Sequence, residues 1–62
     1  MEKLLYRPKE AAKVLGIGRT RIFDLIRSGE LRSLKRNGYR FITADALRDY
    51  VRQLEAEAQE VA

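Results

Sequence analysis

The chain has 62 residues, with 13 Lys and Arg against 9 Asp and Glu, a formal charge of +4, and neither cysteine nor histidine. A chain of this length makes one small domain, burying about 60% of the surface its unfolded form exposes, with no room for a substrate pocket. Without Cys or His it has no disulfide, no thiolate nucleophile, no usual general base and none of the commonest zinc ligands, which argues against an enzyme and against a metal or other cofactor.

The charge is unevenly spread. Residues 1–43 carry eleven basic and four acidic side chains, and residues 44–62 carry two basic and five acidic ones. A basic body with an acidic tail points to a polyanion partner for the body. No run has the apolar length of a signal peptide or a membrane span, so no membrane partner is expected. The absence of cysteine fits a reducing cytosol. There is no repeat and no low-complexity stretch, and Met1 at the start suggests a complete small protein.

Leu4-Leu5-Tyr6 reads as a short strand ending at Arg7-Pro8. Proline suits the first helical position, so a helix is predicted from Pro8, with Glu10 in its first turn, where the dipole favours an acid. Arg7 is a poor cap, since Ser or Thr is expected there. Ala11, Ala12, Val14 and Leu15 are predicted to form the inner face, and Gly16 is a natural left-handed stop. After Gly16-Ile17-Gly18 a second helix begins, with Ile22, Leu25 and Ile26 on one face and Gly29 at its end. A three-residue break with two glycines has the length and chemistry of a helix-turn-helix.

The runs Leu31–Lys35 and Tyr39–Ile42 flank Arg36-Asn37-Gly38. Asn-Gly accepts the positive φ of a type I′ turn, so a hairpin is predicted with Lys35 opposite Arg40 and Leu34 opposite Phe41. Phe41 and Ile42 are adjacent and point to opposite faces, and the sequence leaves open which enters the core. Thr43 caps a third helix, along which Leu47, Tyr50, Val51 and Leu54 follow helical spacing, weakly continued by Ala58 and Val61. The fold class is therefore α+β: strand, two helices, hairpin, helix.

With Ile22, Leu25 and Ile26 buried, the opposite face of the second helix shows Thr20, Asp24 and Arg27, with Arg21 and Phe23 on the flanks. Gly18 at its start exposes backbone N–H groups suited to phosphate. Arg19, Thr20 and Arg21 fill the first turn, the part of a recognition helix that meets base edges, and a basic first turn opposes the helix dipole. Solvated charges on an exposed face are the plainer alternative. For Asp24 an ion pair with Arg21 or Arg27 is favoured over a contact with cytosine. The hairpin gathers Lys35, Arg36, Asn37, Gly38 and Arg40, with Tyr39 among them, as a wing on the backbone or in a minor groove; protection of a strand edge is the competing or additional role.

The stretch RPKEAAKVLGIGRTRIFDLIRSGELRSLKRNGYRFITADALRDYV resembles the excisionase and MerR-type winged-helix DNA-binding domain. Glu10-Ala11-Ala12, Leu15-Gly16-Ile17, the Arg19–Ile26 helix, Ser28-Gly29-Glu30-Leu31, the basic wing and Ala46-Leu47 carry the resemblance. Arg7 and Gly18 depart from it, standing where Ser or Thr caps are usual. A free-standing domain of this size resembles phage excisionases, the recombination directionality factors. That resemblance implies double-stranded DNA binding at repeated attachment-region sites, cooperative self-association, DNA bending and recruitment of a tyrosine integrase toward excision of the viral genome, without catalysis. It implies DNA contacts by Arg19, Thr20, Arg21, Asp24 and Arg27 on the recognition helix and by Arg36, Asn37 and Arg40 on the wing. It also places the protein in the bacterial host cytoplasm, on the nucleoid. A small MerR-like transcriptional regulator ranks second. An adaptor whose basic face meets an acidic protein is the rival of another class, separable by the salt dependence of binding.

Residues 1–54 are taken as the DNA-binding domain and 55–62 as an acidic extension or tail. Arg52 is expected to pair with Glu55, while Glu57 and Glu60 have no cation after them, so the last turns are expected to fray. Leu54, Glu55, Ala58 and Val61 are the candidate contact for integrase or another protein, against the alternative of a solvated terminus.

Overall fold

A computed structural model describes residues 3–61, with side chains through Gln59. The elements are β1 (Leu5–Tyr6), α1 (Pro8–Leu15), α2 (Arg19–Ser28), β2 (Leu34–Arg36), β3 (Tyr39–Thr43) and α3 (Ala44–Val61). The strands form an antiparallel sheet in the order β1-β3-β2. This is a small α+β winged helix-turn-helix.

Each boundary has a local cause. Pro8 opens α1 after an extended Arg7. Arg7 offers no side-chain cap, and Glu10 supplies one from inside the helix by accepting the Arg7 backbone N–H at 2.9 Å. The Lys3 ammonium, hydrogen-bonded to the same carboxylate, and that backbone N–H hold the Glu10 carboxyl below its ordinary pKa. α1 stops at Gly16, whose φ of 74° is left-handed, and the Ile17 N–H reaches back to the Ala12 carbonyl at 3.0 Å. Thr43 caps α3 by accepting the Ala46 N–H at 3.0 Å, as its position after the strand predicts.

The core is Ala11, Ala12, Ile22, Leu25, Leu31, Ile42, Ala46, Leu47 and Tyr50. The two alanines let α2 cross close to α1. Ile42 is the member of its pair that enters the core, while Phe41 is only half-buried on the other face of the sheet. Several expectations are corrected. Val14 is 60% exposed, because it lies about 100° round α1 from the middle of the Ala11–Ala12–Leu15 face. Ile26 is only partly buried, at the edge of the core. Leu31 precedes the hairpin instead of starting it, and is a fully buried anchor between α2 and β2. Val51 and Leu54 keep helical spacing but are exposed, because α3 runs past Tyr50, the last core residue along it, and residues 51–59 are all exposed. Among the described residues, no helix is long and apolar enough to cross a membrane.

Candidate nucleic-acid interface

α2 is held by its buried side, Ile22 and Leu25, and every residue proposed on its other side is exposed: Gly18, Arg19, Thr20, Arg21, Asp24 and Arg27. Gly18 is an extended N-cap with no side chain to bond the first-turn N–H groups. Asp24 pairs with Arg27 at 2.9 Å, resolving the choice between Arg21 and Arg27 in favour of the latter. The pair is exposed and adds little stability. Its effect is on charge: it largely neutralises the end of α2 and leaves Arg19 and Arg21 in the first turn without a carboxylate partner among the described residues.

The hairpin has the expected register, Lys35 opposite Arg40 and Leu34 opposite Phe41, with Arg36 opposite Tyr39. Asn37 and Gly38 have φ of 52° and 79°, the paired positive values a type I′ turn requires. Lys35, Arg36, Asn37, Gly38 and Arg40 are all exposed. Arg40 sits at the base of the wing. It donates to the Ser33 hydroxyl at 2.9 Å and lines a surface depression with Phe23, Ile26 and Arg27, so wing and α2 meet there. A second cleft, of about 380 Å³, joins Arg19 and Phe23 of α2 to Tyr39 and Arg40 of the wing; Lys35 and Arg36 line neither.

That second cleft also contains Arg7 and Lys9, which sequence reasoning did not place in the site. The Arg7 guanidinium lies 4.5 Å from the centre of the Tyr39 ring and 5.8 Å from that of Phe41. The β1–β3 register explains this. Leu5 pairs with Thr43 and Tyr6 with Ile42, so Arg7 continues toward Phe41, and Tyr39 is two residues further along the same face. The available signal was Arg7 itself, a residue ill-suited to capping, but finding its partners required the strand pairing.

The C-terminal candidates form a separate region. Leu54, Glu55 and Ala58 are exposed on the projecting part of α3, and the Val61 side chain lies outside those described. Glu55 borders a shallow groove between α1 and α3 with Val14, Leu47 and Val51. Arg52 bonds Asp49 rather than Glu55, and the same carboxylate also holds Arg32.

Residues 5–55 match the family model of a helix-turn-helix domain. The chain is 39% identical over 56 residues to an excisionase of Streptomyces ambofaciens, covering 90% of this chain and 89% of that protein. It is 40% identical over 55 residues to a probable excisionase of Saccharopolyspora erythraea, covering 89% of this chain and 56% of that protein, so it spans little more than half the length of this second relative. No solved structure matches the chain. The helix-turn-helix match over most of the sequence, together with the near full-length similarity to the Streptomyces protein, places the chain in the excisionase family of helix-turn-helix proteins.

Proposed function

We propose that the protein is a DNA-binding excisionase that reads double-stranded DNA with the first turn of α2 and steadies itself with the wing. The supporting observation is the meeting of two exposed cationic elements: Arg19 and Arg21, without a carboxylate partner among the described residues, on a helix that shares a cleft with Arg40 of the hairpin, which also carries Lys35 and Arg36. In the major groove Arg19 and Arg21 reach base edges, where a guanidinium grips guanine O6 and N7 with two bonds, and Thr20 bonds a base or touches a thymine methyl. Gly18 leaves N–H groups open to a phosphate. Asp24 acts through Arg27, with no direct base contact.

A single domain of this size covers a short site, burying about 600–1,000 Å² of protein surface. Tight specificity then calls for several copies on repeated attachment-region sites, which cooperate and bend the DNA. Residues 1–54 are the DNA-binding unit, and the acidic tail, residues 55–62, is repelled by DNA and left free for a tyrosine integrase that it steers toward excision, with no chemistry of its own. The setting is the bacterial cytoplasm, on the nucleoid.

The test is a gel shift on attachment-region DNA carrying repeated sites, paired with an excision assay containing a tyrosine integrase that acts on that DNA. Cooperative filling of several sites and integrase-dependent excision support the proposal. Independent filling with no effect on excision refutes the architectural part, and equal affinity for random duplex refutes specific recognition.

A further inference from the structure

We propose that Arg7, laid on the Tyr39 and Phe41 rings, is a pre-set clamp for one DNA phosphate that fixes how far the wing lies from the recognition helix. The inference rests on the DNA-binding reading above and adds a residue and a role to it.

Three observations carry it. Arg7 stands at a helix N-cap yet makes no side-chain capping bond, so its local position does not account for it. Its guanidinium rests instead on a ladder of two aromatic rings from β3. The surrounding cleft is lined by Arg7, Lys9, Arg19, Phe23, Tyr39 and Arg40, and none of its four cations has a carboxylate within ion-pair distance among the described residues. Glu10, the nearest acid along the chain, is occupied by Lys3 and by the Arg7 backbone N–H.

Stacking and anion binding are compatible for arginine. The ring covers the flat face of the guanidinium and leaves the N–H groups at its edge, which match a phosphate bidentately. Ordering the side chain before binding reduces the entropy lost when the phosphate arrives. The cleft lies between Arg19 of α2 and Tyr39 of the wing, so a phosphate seated there spaces the two elements that approach the DNA. Lysine cannot replace arginine in this role, having neither the flat face nor the fork.

The test uses a duplex selected from a random pool by the wild-type protein, then remade with single neutral methylphosphonates scanned along each strand. Arg7→Ala, Arg7→Lys and Tyr39→Leu are compared with wild type, after circular dichroism shows that each is folded. Neutralising one phosphate should weaken wild type by roughly tenfold, the size of one charge-assisted hydrogen bond, and leave Arg7→Ala unaffected at that position. Arg7→Lys and Tyr39→Leu should each lose most of that sensitivity. If Arg7→Lys keeps the wild-type profile, or if no position distinguishes wild type from Arg7→Ala, the clamp is overturned while DNA binding stands. If the wild type selects no duplex, the underlying DNA reading fails and the clamp fails with it.

Discussion

The recognition face and the end of α3 both present exposed side chains at helical spacing, yet they differ in what lies beneath. Behind Arg19–Arg27 stand Ile22 and Leu25, almost wholly buried, so the cations are displayed on a helix fixed to the core. From Val51 onward α3 has no core behind it, and its apolar residues are exposed along with its acids. A rigid cationic face suits reading a stiff duplex, where placement decides specificity. A projecting helix with an apolar stripe and acidic flanks suits a partner that supplies the missing surface. The two regions should therefore respond to mutation in opposite ways.

The largest effect should come from the support of the recognition face. Ile22→Ala removes a fully buried side chain and should cost about 2–5 kcal/mol, enough to unfold much of so small a domain, whereas Leu54→Ala should stay within about 0.5 kcal/mol. Urea titration followed by circular dichroism measures both. Next, Arg21→Ala should cost about 1–3 kcal/mol of specific DNA affinity with no loss of thermal stability. Arg40→Ala should weaken binding to all sequences and make the salt slope shallower by about one unit. Ser33→Ala is the control for the hydrogen bond that Arg40 also makes, and an unchanged slope would remove Arg40 from the phosphate contacts. Truncation after Leu54 should leave DNA affinity within about twofold, consistent with tail acids that avoid the duplex, while integrase recruitment falls. A truncated protein that recruits integrase as well as the full chain would end the distinction between the two regions.

The smallest effect is on acid stability. The Glu10 carboxyl titrates below its ordinary value, held by the Lys3 hydrogen bond and the Arg7 N–H. A depressed folded pKa contributes stability above the unfolded value, and that stability is lost as the pH falls through the folded one. Glu10→Gln should therefore lower stability slightly at neutral pH, flatten the acid limb of a stability-against-pH curve, and match wild type below the folded pKa.

Local chemistry made much of this legible. Asn37-Gly38 fixes the turn type, the two-residue loop fixes the register, and Thr43 before a helical run marks its own cap. What stayed hidden depended on distant pairing. Phe41 and Ile42 are equivalent until β1 docks on β3 and the helices cover one face. Arg7 looks like a misplaced cap until the same pairing brings Tyr39 and Phe41 under it. Val14 counts as inward by apolar periodicity yet is exposed, and the periodicity that runs on through Val51 and Leu54 records a helix face but not where the body beneath it ends. Arg52 pairs with Asp49 rather than Glu55, and Asp49 also takes Arg32 from another part of the fold, a contact that helical spacing does not show.

The central claim is that the first turn of α2 reads sequence while the wing holds backbone. The most direct measurement is selection from a random duplex pool by wild type, Arg21→Ala and Arg36→Ala, with the recovered sites sequenced. The account predicts a defined site for wild type, the same site with preference lost at one base pair for Arg21→Ala, and the full site recovered at lower yield for Arg36→Ala. An unaltered site for Arg21→Ala, or a site lost with Arg36→Ala alone, would contradict it.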